Sequence, residues 1–576
     1  MISRTCWWAK AHRINRQRNL VGWVLNPRVH PTAAHRTRGV RRVPNRDSSR
    51  LGARTHPTCV LALLLVLVVG GRPCRACFSI VVGKDASADG CVIVAHNEDD
   101  TAPQIVNHHK VPRRSFPAGA KVMLRNGGSL EQVEQTWAYL WSEMPGLSFS
   151  DSYVNEWGVT VASDNCPSRE DKPELTDGGI GYMLRRLVAE RAKTARDGVL
   201  LAGRLVERFG YVDSGRTYII ADPEEGWLFC VVNGRHWLAR RVPDNGVAMV
   251  ANTYTVHEVD LRNKANFLAA ADIVDYAKSR GWYNPQAEGP FDFARAYANP
   301  KAASSPNNTG RQWSGLMYVA RGKLEPGPNL PFSVVPKHKL SVLDAMQILR
   351  HDKETESGPA PTDSPFLCAL CSGATQTSFV TQIRKGVPAD IGIVYWVCLA
   401  SPRTSFYVPF HFGISDFPAG FRLESQRPTR EAYDRRVQAP FAANPQEAFW
   451  MFSNFRDKVD RRGPTAVAAV KAAAQRIERD AVAVQKPVEE AARRLYKTDK
   501  TTALRLLENY SKRIYLSCTE AMGNILPLSL SGSAWGGMDK LVCPCMLGRV
   551  PSHRETRSNK FGRATRLHRE LRLHTY

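Results

Sequence analysis

The sequence predicts an α+β layered fold, and three observations carry that prediction. Short alternating apolar segments crowd the region that follows Cys77. Stripes of helical period interrupt them, and from Phe441 onward the pattern is helical. Strands first, with helices between and after, argue for sheet and helix in packed layers. At 576 residues and 43% apolar content the chain can bury a large core. Length alone suggests two to four domains, yet the pattern reads as one large mixed domain over 77–530 without internal repeats.

The elements follow in order. Phe78–Val82 and Cys91–Ala95 alternate or run apolar, and the turn-rich Gly83–Gly90 joins them, which predicts a hairpin. Val159–Ser163 reads as another strand. Met183, Leu184, Leu187 and Val188 form one helical stripe, and Ala202, Leu205, Val206 and Phe209 the next. Thr217–Ala221, Trp227–Val232 and Trp237–Arg241 form a meander, turning at Asp222–Gly226 and at Asn233–Gly234, a strong hairpin signal. Val247–Ala251 continues it. Ser341 caps a helix over Leu343–Leu349. Residues 356–376, with three Pro and two Gly, read as a loop. Tyr395–Leu399 and Ser405–Phe412 are strands again. Val470, Ala474, Ile477, Ala481 and Val484 mark one face of a late helix, which Pro487 is expected to break.

The net charge of +25 belongs mostly to the ends. Residues 1–58 carry 13 Lys/Arg against the single acid Asp47, and 549–576 carry eight against Glu555 and Glu570. Both ends, 1–58 and 531–576, read as basic extensions rather than as a nucleic-acid-binding surface, because no zinc-finger, RRM or KH pattern accompanies the charge. Residues 59–76 open with a 12-residue apolar run, CVLALLLVLVVG. A spanning helix needs about 20 residues, so no stable membrane span is expected. The run matches the apolar region of a signal peptide, and Cys74 and Ala76 place small residues at −3 and −1 of a cleavage point before Cys77. That reading routes the protein to the secretory pathway, a lysosome-like compartment or the outside of the cell; a buried strand in a cytoplasmic protein is the alternative.

Cleavage there would give Cys77 a particular chemistry. Its thiolate would be a nucleophile. Its freed α-amine, with a reference pKa near ~8, would accept the thiol proton at neutral pH. While the preceding peptide bond stands, that nitrogen is an amide and not a base. The competing readings of Cys77 are a structural cysteine, a disulfide to Cys74, or half of a Cys74-x-x-Cys77 redox or zinc pair. A redox pair would open a helix after a strand, whereas this one precedes a strand. Cys368-x-x-Cys371 and Cys543-Pro-Cys545 are separated by 171 residues with no histidine cluster, so no metal site is expected.

The segment Cys77-Phe-Ser-Ile-Val-Val-Gly83-Lys84-Asp-Ala-Ser87-Ala-Asp89-Gly90, followed by His96-Asn97-Glu98-Asp99, resembles the opening motif of the cysteine dipeptidase (dipeptidase A) and secernin family. These are N-terminal nucleophile hydrolases, related more distantly to bile-salt hydrolases and penicillin V acylases. The likeness continues in Ser152-Tyr-Val-Asn155-Glu156-Trp-Gly158-Val159, in Val250-Ala-Asn252-Thr-Tyr254, in Gly179–Ala195, in Leu349-Arg-His-Asp352, in Thr375–Pro388 and in Tyr407-Val-Pro-Phe410, covering about 77–530.

The resemblance implies a four-layer αββα sandwich with C-terminal helices, no cofactor and no metal. It implies a cysteine-type exopeptidase that takes dipeptides as partners, activated by removal of residues 1–76. Homo-oligomerisation is left open. Cys77 would be the nucleophile, Asp99 would hold its new amine, and Asn155 and Asn252 would donate to the oxyanion. Arg384 would neutralise a substrate carboxylate or lie near the thiolate. His96 stands where the family usually has Arg beside the nucleophile. A histidine with a reference pKa near ~6.5 is mostly neutral at pH 7 unless a carboxylate raises it, so weaker activity or an acidic optimum is implied. Two other functions fit the family: hydrolysis of non-peptide amides in the manner of the acylases, and a non-catalytic, secernin-like role in secretion.

Overall fold

The computed structural model describes residues 77–526, apart from 100–105, 125, 144–149, 353–365, 422–443 and 445. The basic extension 1–58, the apolar segment 59–76 and the tail 531–576 lie outside the described residues.

Two antiparallel sheets form the centre. Their strands are β1 (Phe78–Val82), β2 (Val92–Asp99), β3 (Asn107–Val111), β4 (Tyr139–Glu143), β5 (Ser150–Asn155), β6 (Thr160–Asn165), β7 (Tyr211–Ala221), β8 (Gly226–Gly234), β9 (Trp237–Arg241), β10 (Val247–Ala251), β11 (Phe267–Ala269), β12 (Ser333–Val334), β13 (Thr375–Ile383), β14 (Ile393–Leu399) and β15 (Val408–His411). The first sheet has the order β12-β10-β1-β2-β13-β14-β15, and the second β11-β9-β8-β7-β6-β5-β4-β3. The main helices are α1 (Met183–Arg191), α2 (Ala195–Phe209), α3 (Pro306–Val319), α4 (Val342–Leu349), α5 (Ala448–Arg462), α6 (Pro464–Tyr496) and α7 (Lys500–Ile525).

Side-chain alternation builds the layers. Val81, Val92, Val94 and Val250 of the first sheet meet Val154, Ile219, Leu228 and Leu238 of the second in one inter-sheet core. Their neighbours Phe78, Ile80, Ile93 and Ala95 point the other way, against Trp313 and Leu316 of α3 and Ala345 and Leu349 of α4. On the far side, Val161, Ile220, Phe229 and Val231 pack on Leu184, Leu187 and Val188 of α1 and Val199, Ala202 and Val206 of α2. Helix, sheet, sheet and helix stack in that order, because a two-residue period gives every interior strand two apolar faces to cover. The αββα sandwich is therefore present, and the C-terminal helices are too: α7 packs on the edge strand β15, which shields its unpaired backbone groups.

One expectation fails. Pro487 does not break the late helix; α6 runs through it from Pro464 to Tyr496. An interior proline costs about 3 kcal/mol. Anchors on both sides offset it: Glu478 takes two hydrogen bonds from Arg350, and Glu489 takes two from Arg384. The stretch read as a loop to residue 376 also ends early, since Thr375 already belongs to β13.

Candidate active site

The period-two rule that sorts the core also assembles a polar cluster at one end of it. Cys77 precedes β1, with Ser79 and Val81 on its own face; Val94, His96 and Glu98 share the matching face of β2. In the register Ser79 pairs with His96 and Phe78 with Asn97, so Cys77 continues opposite Glu98. On the other flank Phe78 pairs with Ala251, so Cys77 continues opposite Asn252.

The side chains meet accordingly. Cys77 donates its S–H to Glu98 Oε2 at 3.2 Å, and its Sγ lies 3.9 Å from the carbonyl oxygen of Asp99. His96 Nε2 is 3.1 Å from the same Glu98 Oε2. The other ring nitrogen, Nδ1, is 2.8 Å from Ser79 Oγ, and that hydroxyl donates to Asp164 Oδ2 on the second sheet at 2.5 Å. The sulfur, imidazole and carboxylate atoms of Cys77, His96 and Glu98 all lie within 4.8 Å of one another. The Asp99 carboxylate, at the end of β2, accepts from Ser372 Oγ.

Burial raises the Cys77 thiol well above its ordinary value, and the carboxylates of Glu98, Asp164 and Asp99 push it the same way. Cys77 therefore rests as a neutral thiol. Asp164 is itself raised by burial, against the opposing pull of His96, the Ser79 hydroxyl, Arg311 and Arg216.

Arg311 of α3 ties the backbone of the site together. It donates from Nη1 to the carbonyl of Cys77 (2.8 Å) and from Nη2 to Asn252 Oδ1 (2.8 Å). The Asn252 amide gives one proton to the carbonyl of Asn165. Cys77, His96, Asp99 and Asn252 are thus brought together.

Two expected site residues are not. Asn155 gives its amide protons to the carbonyls of Ala189 and Ala192 and accepts from the amides of Trp157 and Val159. Both donors are spent on the end of α1 and the side-chain oxygen on the turn after β5, so the oxyanion role does not fit it. Arg384 follows β13 at the end that pairs with Val92, whereas Glu98 pairs with Thr377; at about 3.3 Å per residue that is roughly 20 Å from the thiol. Arg384 instead holds Glu489 in a bidentate pair.

Sequence reasoning missed Ser79, Asp164 and Arg311, and passed over Glu98 although it stands in the quoted motif. Glu98 had a signal, an acid two residues from His96 on the same face of a strand. Asp164 had half of one, as it extends the inward alternation of Ala162, but its partner lies on the other sheet.

Comparison with known proteins gives the family. The profile of Peptidase family C69 matches residues 158–449. A probable dipeptidase of Salmonella dublin is 28% identical over 375 residues, covering 62% of this chain and 85% of that protein. A probable dipeptidase of Latilactobacillus sakei is 26% identical, covering 62% and 79%. The probable dipeptidase B of Streptococcus pyogenes serotype M1 is 24% identical, covering 67% and 78%. Among solved structures, penicillin V acylase from Agrobacterium tumefaciens overlays at a TM-score of 0.29 with 11% identity, covering 58% of this chain and 86% of that one. A conjugated bile acid hydrolase mutant from Clostridium perfringens gives 0.29 and 13%, covering 59% and 92%; overlays this loose carry no argument. The family match spans half of the chain, and the likeness of the Cys77 motif to the cysteine dipeptidases points the same way: the chain belongs to peptidase family C69.

Proposed function

We propose that the protein is a cysteine-type dipeptidase whose nucleophile is Cys77, exposed by removal of residues 1–76. The C69 match, with relatives named as probable dipeptidases, carries this reading. The thiol set against Glu98 and His96 supports the choice of nucleophile.

In this mechanism the freed α-amine of Cys77 takes the thiol proton and the thiolate attacks the dipeptide carbonyl. The second amide proton of Asn252 stabilises the oxyanion, an interaction worth roughly 3 kcal/mol in the transition state. The amine returns the proton to the leaving amino group, and water then releases the acyl group from sulfur. His96, beside the Glu98 carboxylate and linked through Ser79 to Asp164, supplies the positive charge that an arginine supplies elsewhere in the family. Asp99 holds the new amine by a charge-assisted hydrogen bond. The apolar segment 59–76 acts as an export leader, which takes the enzyme into the secretory pathway.

The test is the intact mass of the native protein together with a dipeptide panel that also includes penicillin V and a conjugated bile acid. A chain that begins at Cys77, cleaves dipeptides and loses all turnover as Cys77→Ala while staying folded is the expected result. Dipeptide cleavage by a chain that retains residues ahead of Cys77 would remove the α-amine from the mechanism. Faster hydrolysis of either non-peptide amide would replace the substrate class.

A further inference from the structure

We propose that Cys77, His96 and Glu98 form a binding site for a borderline divalent transition-metal ion, typified by Zn²⁺, and that occupancy switches the peptidase off. The inhibition rests on the nucleophile reading above; the binding does not.

The proton order around His96 carries the inference. Ser79 spends its hydroxyl proton on Asp164 Oδ2, so Ser79 Oγ faces His96 Nδ1 as an acceptor and Nδ1 is the protonated nitrogen. Nε2 then directs a lone pair at Glu98 Oε2, 3.1 Å away. Two electron-pair donors at that separation need a cation between them. A proton fills the place in the working enzyme, and a metal ion fits it as well. Cys77 Sγ approaches the same oxygen at 3.2 Å, which adds a third donor.

The separations suit a tetrahedral ion. Zinc bonds of about 2.0–2.1 Å to nitrogen and oxygen and about 2.3 Å to sulfur give ligand-to-ligand edges of roughly 3.3–3.6 Å. Small shifts of the 3.1 and 3.2 Å contacts reach that range. The outer support is also that of a metal site: a ligating histidine is usually oriented by a partner on its other nitrogen, and here Ser79 and Asp164 do this from two different sheets. Sulfur with imidazole selects Zn²⁺ or Co²⁺ over Mg²⁺ or Ca²⁺. In a chain cut before Cys77, the α-amine supplies the fourth ligand and closes a five-membered ring with the sulfur of the same residue. Binding releases to solvent the thiol proton and the proton held between His96 Nε2 and Glu98, and changes no oxidation state. It occupies both the nucleophile and its base.

Histidine is what makes the site. The arginine usual at position 96 has no lone pair to offer a metal, so the residue that weakens the thiol's activation is also the one that opens the centre to metal control.

The native protein, stripped with a chelator, should bind one Co²⁺ and show a thiolate-to-cobalt charge-transfer band that Zn²⁺ displaces. Dipeptide turnover should fall in step with occupancy and return when a chelator is added. The band should vanish in His96→Gln. Ser79→Ala, which keeps all three ligands, should bind roughly 10–100-fold more weakly. Absence of one-to-one binding in the native protein, or a band unchanged in His96→Gln, overturns the site. Dipeptide turnover untouched by a bound ion overturns the regulation. Metal binding without dipeptide cleavage, even after stripping, leaves the site standing and removes the dipeptidase reading instead.

Discussion

His96 and Glu98 stand two residues apart on one face of β2, with Nε2 and Oε2 3.1 Å apart, and the thiol of Cys77 meets the same carboxylate oxygen. The sulfur therefore sits directly against a carboxylate.

Glu98→Gln should make the thiol more reactive. Glu98 is the leading charge that raises Cys77, second only to burial. Removing that charge lowers the thiol's pKa, so more thiolate is present at any pH below it. Alkylation by iodoacetamide at pH 7 should speed up about tenfold, equivalent to about 1.4 kcal/mol. An unchanged rate would show that burial alone sets the thiol.

Asp164→Asn should slow turnover without weakening substrate binding. Asp164 acts through Ser79 on His96 and reaches neither the thiol nor the site opposite Asn252 by a hydrogen bond of its own. The expected result is a kcat lower by about ten- to a hundredfold, the lower range of a positioned acid–base group's contribution, with KM within about twofold. A KM effect alone would reduce Asp164 to a packing residue.

Asn155 and Asn252 should part company. Asn155→Ala strands four backbone partners, the amides of Trp157 and Val159 and the carbonyls of Ala189 and Ala192. Each buried orphan costs about 1–3 kcal/mol, so the melting temperature should drop while kcat of the folded fraction holds. Asn252→Ala should instead lower kcat by about 10²–10³-fold. Steady-state kinetics beside thermal melts separates the two.

Glu489→Gln should destabilise the fold at neutral pH and much less in acid. His411 and Arg384 hold Glu489 down from 4.5 to about 2, against burial. A depressed carboxylate adds stability above its unfolded value and loses it as pH falls through the folded one. The contribution is about 3 kcal/mol at pH 7. The gap between wild type and variant should close between about pH 4.5 and about pH 2, read from denaturant melts across that range. His411 is lowered by its own burial and contributes no charge at neutral pH.

Much of the fold was legible because alternation and turn chemistry are local. The β1–β2 hairpin, the β7–β8–β9 meander and the Ser341 cap, where Ser341 and Asp344 bond reciprocally, can be read from adjacent residues. Cys77 and Asn252, which Arg311 bridges, were legible through motif resemblance. Pro487 misled because a breaker acts locally while Glu478 and Glu489 are anchored by Arg350 and Arg384, which directly follow α4 and β13. Asn155 misled because a motif specifies a residue type without saying which partners use its donors. Asp164 and Arg311 were beyond reach: one crosses between sheets, and the other arrives from a helix more than 200 residues downstream.

Cys77 leads into the third of seven strands, with a neighbour on each flank and the Arg311 guanidinium on its carbonyl. A terminus made there starts life indoors. Loose ends of chains ordinarily fray, but one made by a cut before Cys77 would be clamped from its first peptide unit, so the cut would demand no rebuilding of the pocket and would deliver the new amine in place.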